Sequence, residues 1–498
     1  KISKKVTNFS YNILNQIILI SHDFGKATSY FQKKIKLVVD NKENTTEFQK
    51  LQNSKLTHHS QLSALFAYFL TLKTIENTEA AIIAYLVVNS HHSNLSNVSN
   101  EFYISENKWA NLIKQEKSIN YDEIKNLLLQ NNIRIDPKEF SIENIQKEWT
   151  GYRFKYKKLD EILKKIDFNS YFITNLLYSL LVYSDKGAVI LSSEKNNAKG
   201  KEELLYKSYS LPGNIVDNYR KKENWNNPDT EFDAFRNTIY RDVEKSIGNI
   251  DLDKKILSIN LPTGTGKTVC SYSAALKLRT RLKRSKGKEY KIIYNLPFTS
   301  VIDQNHEVMK NILKIKWENI SSDLLLKHHH LTTKDYKNKD YNIISYDLTN
   351  YLIEGWNSQI IVSTFVQFLE SVLTNSNKRL LKYNNLVNSI IILDEVQAIS
   401  HKYWLLFKKT INKMTELFDC YFIFVTATMP LIFSEEKNEI FELASNKKEY
   451  YSFCDRINLN LEHFRSSLTM NKFKEVVKKD IKKHYPEKSF LFIMNTIK

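Results

Sequence analysis

Leu261-Pro-Thr-Gly-Thr-Gly-Lys-Thr268 places two of the chain's ten glycines in one short loop. Without Cβ atoms such a loop can curl until its N–H groups point at phosphate oxygens, and a following helix adds its positive N-terminal end. On this reading Thr263, Gly264, Thr265, Gly266, Lys267 and Thr268 cradle a nucleotide, taken as ATP. Lys267 reaches the β- and γ-phosphates and Thr268 holds Mg²⁺. The strict pattern asks for glycine at position 261, where this chain has Leu261. The carboxylates such a site needs come from Ile390-Ile-Leu-Asp-Glu-Val-Gln397. Asp394 would coordinate Mg²⁺ and Glu395 would polarise the attacking water. An apolar strand that ends in two acids has few structural reasons, because buried carboxylates cost several kcal/mol unless paired or metal-bound.

A second group of residues suits metal chemistry. Five of the twelve histidines lie in the first 92 residues, in His22-Asp23-Phe-Gly-Lys26, Thr57-His58-His59-Ser60 and Ser90-His91-His92-Ser93. Asp185 follows the apolar helical stretch Tyr171–Ser184 and is expected to end that helix. Imidazole and carboxylate suit borderline divalent metals, and an adjacent His-Asp pair can serve two ions at once. Two ions about 3.5–4 Å apart can activate a water and steady a leaving oxygen in phosphodiester cleavage. His328, His329 and His330 lack an evident carboxylate partner and read as structural.

These residues need a scaffold, and the apolar pattern supplies one. Residues 1 to about 205 read as helical throughout, with apolar residues at helical spacing in Leu62, Leu65, Phe66, Phe69 and in Ile173, Leu176, Leu177, Leu180. Residues 206–230 carry Pro212, Gly213 and Pro228 among polar residues, as a linker would. From 231 onward, short apolar runs at Ile256–Asn260, Ile292–Asn295, Ile360–Ser363, Ile390–Leu393 and Phe422–Thr426 alternate with helical segments. That pattern predicts a parallel sheet with crossover helices. A basic helix, Lys472–His484, and one more apolar run, Ser489–Met494, close the chain.

Composition narrows the classes further. The 73 basic residues exceed the 55 acidic ones by 18, a surplus of mostly lysine spread along the whole chain that fits either a solvated surface or a footprint for phosphate backbones. Three scattered cysteines with no CxxC pair exclude a disulfide scaffold and a cysteine-ligated zinc site, and fit a reducing compartment. No apolar run is long enough to span a membrane.

Taken in order, HDFGK, the two histidine doublets, Asp185-Lys186, PTGTGKT, NLPFTS, DEVQ and TATMP resemble the CRISPR-associated type I interference helicase–nuclease family. That family joins an HD-type nuclease to a superfamily 2 DExH helicase, and the likeness covers nearly all of the chain. Phe31-Gln32 and Asn495–Lys498 add to it. The resemblance implies an all-α HD bundle over residues 1–205, a linker over 206–230, a first α/β RecA-like ATP-binding domain over 231–470, and the start of a second RecA-like domain over 471–498. It implies metal ligands at His22, Asp23, His59, His91, His92 and Asp185, binding Mn²⁺, Ni²⁺, Co²⁺ or Mg²⁺. His59 is taken over His58 because the family's ligand directly precedes the serine, here Ser60. Lys26 would steady transition-state charge beside Asp23, and Arg236 would lie near the adenine. Asn295–Ser300 and Val362–Phe365 fall where such helicases contact the DNA backbone, and Thr426-Ala-Thr-Met-Pro430 falls where they couple ATP state to strand movement.

The implied activity is ATP-dependent 3′→5′ translocation with metal-dependent cutting of single-stranded DNA. The DNA would be displaced at an R-loop by a guide-RNA surveillance complex of the Cascade type, in the cytoplasm, in antiviral defence. The family has a further ligand histidine upstream of HDxGK, which residues 1–21 lack, and its arginine fingers would follow residue 498. A fragment truncated at both ends is therefore expected. Because HD domains also hydrolyse nucleotides, an HD-type nucleotide phosphohydrolase fused to a helicase core is the rival reading. An inactive nucleic-acid-binding fragment is another, opposed by the intact set of Lys267, Asp394, Glu395 and the HD residues.

Overall fold

A computed structural model of the chain describes residues 11–101, 104–154, 167–193, 209–329, 346–454 and 469–484. Residues 1–450 form one compact unit and residues 451–498 a second. In the second, Met470–His484 is a helix. The expected strand Ser489–Met494 and the motif Asn495–Lys498 lie outside the described residues.

The first unit is a helical region followed by an α/β region, as the apolar pattern implied. At the centre of the helical part stand the helices Ser60–Ile75 and Thr78–Ser90, packed against each other. Both are apolar on every face, through Leu62–Leu70 and Ala80–Val88, so each is buried all round. The Asn77 side chain caps the second by accepting from the Ala80 N–H at 2.9 Å. Around them lie Tyr11–Ser21 and the long helix Phe168–Ser193.

The α/β part is a seven-stranded sheet. Its strands are β1 (Ile256–Asn260), β2 (Lys291–Leu296), β3 (Leu325–His328), β4 (Ile360–Thr364), β5 (Ser389–Asp394), β6 (Tyr421–Thr426) and β7 (Phe441–Glu442). Their order is β3-β4-β2-β5-β6-β1-β7 and every pairing is parallel. Ile292 aligns with Ile360 on one side and Ile390 on the other, and Ile391 aligns with Phe422. Such strands are covered on both faces, hence their continuous apolar runs. β1 neighbours β6 and β6 neighbours β5, so the loops leaving their C-terminal ends converge.

Three expectations are corrected. Part of the expected linker is packed rather than open: Tyr209, Leu211, Ile215, Val216 and Arg220 are buried, and the helix Ile215–Lys222 packs on the helices Lys267–Lys286 and Ile302–Leu313, while residues 221–230 are exposed. Gly213 serves close packing there, since a Cβ on it would meet Thr280 Oγ1 at 2.7 Å. Asp185 does not end a helix but lies inside Phe168–Ser193, and Gly187 continues it. A Cβ at 187 would meet the Tyr351 hydroxyl at 2.7 Å, so this glycine also marks a close approach. Finally, the helical and α/β parts share a core: one apolar cluster runs from Leu14 through Leu65 and Leu181 to Trp356, Ile391 and Phe422.

Candidate active sites

The histidines and carboxylates of the helical part meet at helix ends. His22 follows Tyr11–Ser21 and is held by its Nδ1, which donates to the Leu19 carbonyl at 2.8 Å. His91 follows Thr78–Ser90 and donates in the same way to the Val88 carbonyl at 2.6 Å. A carbonyl can only accept, so in the neutral ring each Nε2 keeps its lone pair for another partner. His91 Nε2 is buried with no hydrogen-bond partner among the described residues, and so is Asp23 Oδ1.

His59, His91 and His92 bring their ligand nitrogens within 4.8 Å of one another. His59 Nε2 and His92 Nε2 are 3.1 Å apart, and Asp23 Oδ1 lies 3.5 Å from His59 Nε2. Two imidazoles on one ion with bonds of about 2.1 Å would stand at roughly this separation. Burial pushes the His59 imidazole down to about 3 and His91 down to about 4, so both are neutral donors at ordinary pH. Three clustered imidazoles, with a carboxylate oxygen 3.5 Å from one of them, fit a divalent transition metal.

The other predicted ligands lie on the far oxygen of Asp23. Oδ2 is 3.4 Å from His22 Nε2, which is 3.9 Å from Asp185 Oδ1. The Lys26 ammonium lies 2.7 Å from that same Oδ2. Asp23 therefore faces His59 with one oxygen and shares the other between Lys26 and His22. Burial raises the Asp23 carboxyl, but the Lys26 hydrogen bond and the positive neighbours outweigh it and hold the group below the usual carboxylate range. His58 is exposed and stands outside the cluster.

Two positioning residues were missed in the sequence. Gly25 lies so close to His59 that a Cβ would meet the His59 carbonyl oxygen at 2.5 Å. Gln115, only 2% exposed, donates from Nε2 to the carbonyls of Leu56 at 2.9 Å and His58 at 2.8 Å, which fixes the turn that carries His59. The glycine was visible inside HDFGK; nothing in the sequence marked the glutamine.

The phosphate loop occupies the C-terminal end of β1. Gly264 and Gly266 have φ of +82° and +88°, a region where a Cβ would be strained. The helix Lys267–Lys286 starts directly after them. Lys267 Nζ is 3.4 Å from Glu395 Oε1, and both Lys267 Nζ and Asp394 Oδ1 are buried without a hydrogen-bond partner among the described residues. Burial, helped by the neighbouring Glu395 carboxylate, pushes Asp394 up to about 6 despite the Tyr294 hydroxyl that donates to it at 2.8 Å. A buried ammonium whose neighbour is the Glu395 carboxylate, together with a buried carboxylate oxygen that has no hydrogen-bond partner among the described residues, suits Mg²⁺–nucleotide.

Glu395 sits in the left-handed region at φ +55° and accepts from Gln397 Nε2. The Gln397 oxygen accepts from Thr426 Oγ1 at 2.6 Å, and Thr426 Oγ1 accepts from the Thr428 N–H at 3.0 Å. DEVQ and TATMP are thereby one hydrogen-bonded unit. Arg236 donates to the Gly264 carbonyl from Nε at 2.9 Å and from a terminal nitrogen at 2.8 Å. It lines a cavity of about 560 Å³ together with Trp225, Asn237, Gly264 and Gly266.

The expected DNA contacts are less open. Asn295, Ser363 and Thr364 are buried, and the Ser363 hydroxyl donates to the His328 carbonyl at 2.8 Å while Thr364 Oγ1 caps a helix through Gln367 N–H at 3.0 Å. Only Phe298–Ser300 present themselves to solvent there, Phe298 at 65%. His328 and His329 are buried, and His328 Nδ1 accepts the Trp356 indole N–H at 2.7 Å. His330 lies outside the described residues.

Comparison with known proteins agrees with this division. The family model "Cas3, HD domain" matches residues 11–137 and "DEAD/DEAH box helicase" matches residues 241–435. A curated CRISPR-associated nuclease/helicase Cas3 of Haloferax volcanii is 24% identical over 439 residues, covering 82% of this chain and 45% of that protein. The chain thus spans about half the length of this relative. Among solved structures, T. fusca Cas3-ATP has a TM-score of 0.46 at 15% identity, covering 92% of this chain and 49% of the other. T. fusca Cas3-ADP has a TM-score of 0.47 at 15% identity, covering 91% and 47%. A match to the Cas3 HD model thus stands ahead of a match to the DEAD/DEAH box helicase model in one chain, and the chain is similar to a curated CRISPR-associated nuclease/helicase Cas3 over 439 residues.

Proposed function

We propose that the chain cuts single-stranded DNA at the His59, His91, His92 and Asp23 cluster, with His22 and Asp185 on its flank, and moves along that DNA 3′→5′ at the expense of ATP. The observation that carries this reading is the cluster of His59, His91 and His92 nitrogens, with Asp23 Oδ1 buried without a hydrogen-bond partner among the described residues 3.5 Å from His59 Nε2. A divalent ion bound there supplies a Lewis acid and a water of lowered pKa. The imidazole set favours Mn²⁺, Ni²⁺ or Co²⁺ over Mg²⁺. Lys26, beside the same carboxylate, places a positive charge where a cleaved phosphodiester gains negative charge.

In the α/β part, Lys267 and Thr268 bind the ATP phosphates, Asp394 holds Mg²⁺, and Glu395 orients the attacking water. Thr263, Gly264, Thr265 and Gly266 wrap the phosphates, and Arg236 fixes the loop through the Gly264 carbonyl. The DNA is the strand displaced at an R-loop by a Cascade-type surveillance complex, and the role is antiviral defence in the cytoplasm. Among the described residues no helix is long and apolar enough to cross a membrane.

Asp23→Ala tests the reading. It is expected to abolish metal-dependent release of fragments from labelled single-stranded DNA while nucleotide binding at Lys267 persists. Cutting at the wild-type rate by that variant would refute the assignment.

A further inference from the structure

We propose that Asn377, which belongs to the helicase part, is a positioning residue for the nuclease metal cluster and a point through which the α/β part sets that cluster's geometry. The inference rests on the metal reading of His59, His91 and His92. Asn377 opens the short helix Asn377–Leu380 and contacts the turn carrying His91 and His92. Its Nδ2 donates to the His91 carbonyl at 3.2 Å and to the Tyr178 hydroxyl at 2.7 Å. Its Oδ1 accepts from Lys186 Nζ at 2.6 Å. Both amide hydrogens and the amide oxygen are therefore used, and this arrangement fixes which way the amide points.

The three partners tie together two ligand-bearing elements. Tyr178 OH donates on to the Ser93 carbonyl, directly after His92, and Lys186 is the neighbour of Asp185. The Asn377 N–H also donates to Asn94 Oδ1 at 2.9 Å. Leu95 and Asn375 close the junction, with the Leu95 N–H donating to the Asn375 carbonyl and Asn375 Nδ2 donating to the Leu95 carbonyl, each at 2.9 Å. Among the described residues the His91 carbonyl finds its side-chain partner on the other half of the molecule, 286 positions away. A ligand whose backbone is held from outside keeps its imidazole in register, and loss of such outer partners typically costs about 10–100-fold in metal affinity.

The test is Mn²⁺ alone, titrated into the whole chain and followed by the loss of the free-ion EPR signal. Asn377→Asp keeps an acceptor for Lys186 and the backbone N–H bond to Asn94, so the junction stays joined, but its side chain can no longer donate to the His91 carbonyl or to the Tyr178 hydroxyl. It should bind Mn²⁺ about 10-fold more weakly, and Asn377→Ala up to about 100-fold more weakly. Tyr171→Phe is the control, because its hydroxyl donates to the Val372 and Thr374 carbonyls of the same segment and touches neither ligand turn. It should bind Mn²⁺ like the wild type. If Tyr171→Phe weakens binding as much as Asn377→Asp, general loosening of the junction accounts for the effect and the inference is overturned. Unchanged affinity in both Asn377 variants, with binding abolished in His91→Ala, overturns this inference alone. A wild type that takes up no Mn²⁺ overturns the metal reading and this inference with it.

Discussion

Gly25→Ala is a one-methyl perturbation whose consequence can be worked from distances. The added Cβ would lie 2.5 Å from the His59 carbonyl oxygen, 2.8 Å from its Cα and 2.9 Å from its Cβ. Carbon atoms pack at about 3.5–4.0 Å, so the turn and His59 must separate by roughly 1 Å. The turn cannot swing away freely, because the Gly25 N–H donates to Ser63 Oγ at 2.8 Å and its carbonyl accepts from Thr28 Oγ1 at 3.0 Å. Overpacking of this kind costs about 1–3 kcal/mol of stability. A displacement of roughly 1 Å between Asp23 and His59 should slow cutting about 10²-fold. The assay pairs Mn²⁺ titration calorimetry with cleavage of labelled single-stranded DNA, using nucleotide binding at the phosphate loop as the internal control. Wild-type metal affinity and cutting in Gly25→Ala would refute the claim that this close approach sets the Asp23–His59 distance.

Two further outcomes are expected. Thr426→Val removes the hydroxyl that ties Gln397 to TATMP; nucleotide should still bind, while phosphate release slows about 10–100-fold as Glu395 loses its support. Unchanged turnover would separate the two motifs. The second concerns Asp419, where burial raises the carboxyl but hydrogen bonds from Lys255, Tyr290 and Lys286 outweigh it and hold it well below the usual range. A depressed folded-state pKa gives stability that is present above the ordinary value of 3.8 and lost as pH falls further. Asp419→Asn should therefore cost about 3 kcal/mol in urea unfolding at pH 7, with the gap to wild type closing below the ordinary carboxylate range. A gap independent of pH would contradict this.

The sequence carried its chemistry more openly than its packing. PTGTGKT and DEVQ were legible because phosphate binding needs those residue types at adjoining strand ends, and the strands themselves read as unbroken apolar runs. β3 was not, since Leu325–His328 is four residues long and runs into a histidine tract. Pro212-Gly213 misled because a glycine that admits a neighbouring side chain looks, in one dimension, like a glycine that breaks an element. In the histidine cluster the doublets were visible, but Gln115 and Asn377 act on carbonyls of residues 57 and 286 positions distant. No spacing rule reaches that far.

The central proposal is that the cluster of Asp23, His59, His91 and His92 is a metal centre that cuts DNA. The most direct measurement follows Mn²⁺ uptake and single-stranded DNA cleavage in the same samples, for wild type and His91→Ala. Cutting is expected to rise with Mn²⁺ occupancy in the wild type, and both should vanish together in the variant. Cutting that persists in excess chelator, or a variant that cuts like wild type, would contradict it.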